Sequence, residues 1–198
     1  YETQASLLTT ARKKAAQALS ERVTESMQTL SMQGGVFVVD VAKGEPSARG
    51  SDMIEFRVAG HPGVTPQAIQ KVASGGELAR ISLAITVNTV ESTPVPTLIF
   101  DEVDSGIGGA VAETVGRYLR LLAKNKQVLC VTHLPQVAAQ GHNHFQVSKD
   151  ISAQTTRSKI VQLEAKARVE EIARMLGGQV ITEATRTAAH EMIASANG

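Results

Sequence analysis

The sequence contains no tryptophan, and aromatic residues of every kind make up only 3% of it. A core built without large rings has to rest on Val, Ile, Leu and Ala. Cysteine is almost as scarce: Cys130 stands alone, which excludes an internal disulfide and fits a reducing compartment. It lies inside the apolar run "QVLCVT", where a buried, inert thiol is expected rather than a nucleophile. No apolar stretch approaches the ~20 residues that a membrane span needs, and no signal peptide is visible. The expectation is a cytoplasmic chain with no membrane partner. An excess of charge is missing too. The net charge is +1, which argues neither for nor against a nucleic-acid surface.

What is present suits a globular domain with a real core, at 42% hydrophobic and 20% charged residues over 198 positions. Residues 3–31 carry Leu8, Ala11, Ala15, Ala18, Leu19, Val23, Met27 and Leu30 at steps of three and four. That spacing predicts one long amphipathic helix, ended by the glycines of "QGG" at 33–35. The helical pattern is already under way at Tyr1, so the expectation is a piece of a longer protein, continued upstream as a coiled coil.

"VFVVDV" (36–41) and "MIEFRVA" (53–59) predict a β-hairpin around the polar "AKGEPSARGSD". A loop (60–70) leads to "KVASGGELARISLAITV", which predicts a helix with Leu78, Ile81 and Ile85 on its buried side. "VPTLIF" and "QVLCVT" are short, continuously apolar runs, the pattern of strands covered on both faces. Between them "AVAETVGRYLRLLAKN" (110–125) is helical, with Val111, Val115, Leu119 and Leu122 on one stripe. Strand, helix and strand over this length make a βαβ unit, so the two strands should be parallel neighbours. Beyond lie "HFQVSK", a Ser/Thr-rich turn, "SKIVQLE" and two closing helices, the first with a glycine cap. His142 and His144, in the loop before "FQVSK", are expected to be solvent-exposed turn residues.

The chemistry gathers at the strand ends. In open parallel sheets, ligands sit beyond the carboxyl ends of the strands. "LIFDE" places Asp101 and Glu102 at one such end, and "VLCVTH" places His133 at the next, about 4.8 Å away at the root. Successive strand residues point to opposite sides, so the two acids cannot share one task. One can hold a hard cation such as Mg²⁺, and the other can take a proton from an attacking water. His133 can donate to a phosphoryl oxygen. An Asp-Glu pair can also simply open a polar loop. The apolar run before it and the histidine ending the next strand favour a site.

Ser74, Gly75 and Gly76 precede a helix whose first N–H groups lack partners, which suits a phosphate. Glu77 in the first turn complements the same dipole. A serine N-cap with a flexible turn would explain "SGG" equally well. A phosphate cradle of the form GxxxxGK[ST] is absent, so a complete nucleotide site would have to borrow one.

In this order, "ASGGEL" (73–78), "TLIFDE" (97–102), "VDSGIGG" (103–109) and "VTH" (131–133) resemble the signature loop, Walker B strand, D-loop and switch histidine of ATP-binding-cassette ATPase heads. The long entering helix is similar to that of their SMC-like branch, and the wording is nearest to its bacterial DNA-repair members. The resemblance implies an α/β fold: the C-terminal half of a P-loop ATPase head with parallel core strands, an N-terminal β-hairpin and a helix from a coiled coil. Residues 1–33 would be the coiled-coil end, and 34–198 the half-head.

It also implies ATP and Mg²⁺ as cofactors. The partners would be the N-terminal half of the same head, a second head in an ATP-dependent homodimer, and DNA at double-strand breaks in the bacterial nucleoid. By position, Ser74, Gly75 and Gly76 would contact the partner's nucleotide, Asp101 would hold Mg²⁺, Glu102 would be the catalytic base and His133 the γ-phosphate sensor. Asp104 would belong to the loop crossing the dimer interface. Ala73 stands where many cassette ATPases have Leu, and Ser105 where an apolar D-loop residue is expected. A metal-dependent phosphohydrolase or nuclease using Asp101, Glu102 and His133, and a non-catalytic coiled-coil module, are the alternative readings.

Overall fold

The computed structural model describes residues 1–72, 74–92, 94–151, 156–178 and 180–197. Ala73 and part of the Ser/Thr-rich turn therefore lie outside the described residues.

Helix α1 (Glu2–Gln28) is the predicted entering helix, and it stops before the glycines. Its C-cap is Thr29 in ordinary helical geometry, and Ser31 takes the left-handed conformation instead. Gln28 closes the turn with its side chain, accepting from Gly34 N at 2.7 Å and donating to Gly35 O at 3.0 Å. Only the C-terminal half of the expected stripe packs as foreseen. Val23, Met27 and Leu30 are fully buried, whereas Leu8, Ala11, Ala15 and Ala18 stay exposed.

The hairpin is longer than the sequence pattern suggests. Strands β1 (Val36–Ser47) and β2 (Gly50–Ala59) pair antiparallel almost to their tips, with a register shift between Lys43 and Ser47 where Pro46 cannot donate. A two-residue strand β3 (Gln67–Ala68) adds to β2. The hairpin lies along α1, tied by Arg12 to Asp52 at 2.9 Å and by the Thr9 hydroxyl to Asp52 at 2.7 Å. Those two donors hold the Asp52 carboxyl below its ordinary range, the Thr9 hydrogen bond first.

Helix α2 (Gly75–Thr89) follows the serine-glycine motif. Its buried side is Gly76, Arg80, Ile81, Leu83 and Ala84, while Leu78, expected on that side, is exposed. Strand β4 (Thr97–Phe100), helix α3 (Gly109–Leu122) and strand β5 (Gln127–Cys130) form the predicted βαβ unit, and the strands are parallel, from Thr97↔Gln127 to Phe100↔Cys130.

The strands are covered on one face only. Leu98, Phe100, Val128 and Cys130 turn to the core, but Ile99 is 73% exposed and Leu129 and Val131 are exposed beside it. An apolar run marks a strand whose two faces are both apolar. What covers each face is a separate matter.

A short helix, α4 (Pro135–Gln140), begins two residues after His133 and was not foreseen. Six residues are too few for a period, although Pro135 at its first turn was a readable start. Its Val137 joins the main core with Val23, Met27, Phe37, Ile81 and Val115, and Ala138 and Ala139 join a second core. Its terminal carbonyls are clasped by two guanidinium groups: Arg120 donates to Gln140 O at 2.7 Å and Arg168 to Ala139 O at 2.9 Å. Strands β6 (Phe145–Ile151) and β7 (Thr156–Gln162) form an antiparallel hairpin. Helix α5 (Ala165–Gly177) ends at Gly178 in left-handed geometry, as its glycine pair predicts, and α6 (Glu183–Asn197) closes the second core through Ala189.

Candidate functional site

The β4–β5 register continues past the strands, because Val131 N donates to Phe100 O at 3.0 Å. Asp101 and His133 therefore leave adjacent strand ends. With Glu102, Asp104, Ser105, Val131 and Thr132 they line one open cleft of about 260 Å³. The acids and the imidazole that the sequence places at neighbouring ends do converge.

The backbone turns sharply as soon as β4 ends. Asp101 Oδ1 accepts from Glu102 N at 2.9 Å, Ser105 N donates to Glu102 O at 3.0 Å, and Glu102 itself has φ +59°. Left-handed geometry in a residue with a side chain costs of order 1–3 kcal/mol and tends to survive at functional positions. Here it sends the Glu102 side chain towards the start of α2. A Cβ added to Gly75 would lie 2.8 Å from Glu102 Oε2, and one added to Gly76 would lie 3.0 Å from Ser105 O. The glycines thus permit close approach of a neighbouring loop as well as leaving amides bare.

Ser74 is the N-cap of α2, and its hydroxyl accepts from Glu77 N at 3.3 Å. Glu77 sits in the first turn with His61 Nε2 3.9 Å from Oε1. None of Ser74–Glu77 lines the cleft; Glu102 lies between the cleft and that helix start.

His133 is exposed, and its Nδ1 lies 3.3 Å from Asp104 Oδ2. The Asp104 carboxylate is buried beneath it and accepts from the Thr132 hydroxyl at 2.5 Å and from His133 N at 3.0 Å. Its side chain is therefore turned into its own chain. Cys130, behind the cleft, has its thiol pushed up to about 12, by burial first and then by the Asp104 and Asp101 carboxylates. An inert thiol was the expectation, and that elevation agrees with it.

Sequence reasoning missed Arg80. The residue is only 6% exposed, and Nη1 donates to Ser105 O at 2.7 Å, joining α2 to the loop after Glu102. Burial lowers its pKa, with Glu77 opposing. The available signal was its position four residues after Gly76 and four before Ala84, on the stripe that faces inward. His144 was also misjudged. It is half-buried, with Nδ1 lacking a partner among the described residues, and burial lowers its pKa ahead of the Arg168 charge.

Asp101 fits a family Mg²⁺: one carboxylate oxygen is occupied by Glu102 N, and a single carboxylate beside an open cleft suits an ion that keeps waters and phosphate oxygens as its other ligands. Among the described residues, no group of three or more His, Cys, Asp or Glu side chains is placed to hold a metal by itself.

Compared with known proteins, the chain is 48% identical over 189 residues to the DNA repair protein RecN of Xylella fastidiosa, covering 94% of this chain and 34% of that protein. It is 46% identical over 191 residues to RecN of Haemophilus influenzae, with 96% and 34% covered. The chain is a homologue of RecN proteins over nearly all of its own length.

It spans about a third of the length of the curated RecN relatives it matches. No family model matches it. Among solved structures, the chain is similar to an Smc head domain with a coiled coil and joint from Pyrococcus yayanosii, at 22% identity and a TM-score of 0.60, covering 82% of this chain and 29% of that one. A chain from work on ATP-driven dimerization and DNA-stimulated activation of SMC ATPases matches at 22% identity and a TM-score of 0.53, with 87% and 99% covered. The chain thus has the α/β fold of SMC head domains, with parallel core strands, an N-terminal hairpin and a long first helix.

Proposed function

We propose that this chain is the C-terminal half of an SMC-like ATPase head in a RecN-type protein acting in DNA double-strand-break repair in the bacterial cytoplasm. The convergence of Asp101, Glu102 and His133 in one cleft at adjacent parallel strand ends carries the reading. ATP binding joins two heads, and hydrolysis releases them. The phosphate cradle comes from the N-terminal half of the same head, and Ser74, Gly75 and Gly76 cap the nucleotide held by the other head.

Glu102 takes a proton from the attacking water, and its carboxylate is well placed to face a phosphate that arrives at the start of α2. His133, exposed at the mouth, meets the γ-phosphate. Asp101 would hold Mg²⁺, which neutralises phosphate charge when bound.

Two surfaces support the missing partners. The exposed face of β4 and β5, with Ile99, Leu129 and Val131, suits the rest of the head's sheet. Leu8, Ala11, Ala15 and Ala18 are exposed at alternating steps of three and four, the spacing of a coiled-coil seam.

A nuclease using the same residues has less support, because two-metal chemistry wants more converging carboxylates. As for the coiled-coil module, α1 also builds the core through Val23, Met27 and Leu30.

The test is reconstitution. This chain alone should neither bind nor hydrolyse ATP appreciably, and should do both when joined to a RecN N-terminal segment. Glu102→Gln in the joined protein should keep ATP binding, abolish turnover and trap the dimer. Normal turnover in Glu102→Gln would remove the base assignment.

A further inference from the structure

We propose that Asp104 is the positioning residue of His133, selecting which imidazole nitrogen faces the cleft. The inference rests on the reading of His133 as the γ-phosphate-facing group. It adds an intramolecular task to a residue expected to belong to the loop crossing the dimer interface.

The His133 side chain is 70% exposed, so packing does little to fix its ring. The Asp104 side chain is 3% exposed and converges on it from below. A single oxygen, Oδ2, receives the Thr132 hydroxyl and the His133 backbone N–H, and it lies 3.3 Å from His133 Nδ1. The carboxylate therefore holds the Thr132 side chain and the His133 backbone N–H, and presents its charge to one ring nitrogen.

An ionised carboxylate only accepts hydrogen bonds, so the nitrogen beside it carries a proton. Which imidazole nitrogen is protonated follows from the bond the other one makes. With Nδ1–H directed to Asp104, Nε2 is left to meet a phosphoryl oxygen, and it donates when the ring carries its second proton. Asp104 lies three residues past Asp101, so one short turn connects the acid end of β4 to the imidazole end of β5.

The prediction can be read without nucleotide. In the chain labelled with ¹⁵N-histidine, at about pH 8 where a free imidazole is neutral, NMR should show His133 mainly as the Nδ1–H tautomer. An unconstrained imidazole favours Nε2–H. Asp104→Asn, whose amide can donate to Nδ1, should move His133 to Nε2–H. Thr132→Val removes a neighbouring contact but keeps the carboxylate, so it should retain the wild-type tautomer.

In the joined protein, Asp104→Asn should lower ATP turnover about 10- to 100-fold, the scale of losing a hydrogen bond to a charged group. In a His133→Ala background the same change should cost no more than about twofold, because the two act as a unit. A wild-type His133 in the Nε2–H form, or an Asp104→Asn loss that is undiminished in the His133→Ala background, overturns the proposal. If the wild-type joined protein hydrolyses no ATP, the ATPase reading fails and the tautomer measurement still decides this one.

Discussion

Arg80 Nη1 donates to the backbone carbonyl of Ser105 at 2.7 Å, so the helix beginning at Ser74 and the loop following Glu102 are tied by one buried guanidinium. That bond links the serine-glycine helix start to the acid turn.

Arg80→Ala should cost about 1–3 kcal/mol, because it removes a buried side chain together with its hydrogen bond to Ser105 O. Urea unfolding of the chain measures this. A loss below about 0.5 kcal/mol, the scale of an ordinary surface change, would mean that the tie holds nothing together.

Ser74→Arg should leave the chain folded, with a loss of about 1 kcal/mol for the missing cap. In the joined protein it should prevent ATP-driven head pairing by crowding the partner's phosphates. Sizing chromatography with ATP reads the outcome, and normal dimerisation would return the motif to a simple cap and turn.

Ile99→Lys separates an open sheet face from a core position. Ile99 is exposed in this chain, so the change should shift its stability by no more than about 0.5 kcal/mol. Association with the N-terminal half should be lost. A destabilisation of 2–5 kcal/mol, the usual cost of disrupting a core aliphatic, would show that the face is covered within the chain itself.

Acid should weaken the second core in two stages. The half-buried His144 has a lowered pKa, so the unfolded chain binds its proton more readily, and stability is lost as pH falls through and below the ordinary value of 6.5. Glu171 has a lowered pKa, through the Arg174 hydrogen bond first, so its contribution is present above 4.5 and is lost as pH falls below that. Urea midpoints at falling pH should decline through both windows, and His144→Gln should flatten the first. An unchanged first stage in His144→Gln would assign it to another group.

Much of the site was legible because its signals are local. An apolar run ending in Asp101-Glu102 and another ending in His133, joined by a helix-length segment, specify a parallel βαβ unit with both ends on one edge. The long first helix and the hairpin follow from periods of 3.6 and 2. Leu78 was expected inside and Arg80 went unread, because hydrophobicity marks what can be buried, and a guanidinium with a carbonyl partner can take the inner position. Helix α4 escaped notice because its six residues are held by Arg120 and Arg168, which come from α3 and α5.

Residue order alone determined the sequence of elements, the parallel pairing and the meeting of an acid pair with an imidazole, since each follows from chain direction and side-chain period. Tertiary structure decided which way Asp104 and Glu102 point, that Arg80 lies inside, and that Ile99 is left bare. Those outcomes depend on contacts between segments distant in the chain, where a hydrogen-bond partner or its absence sets the energy and no local pattern records it.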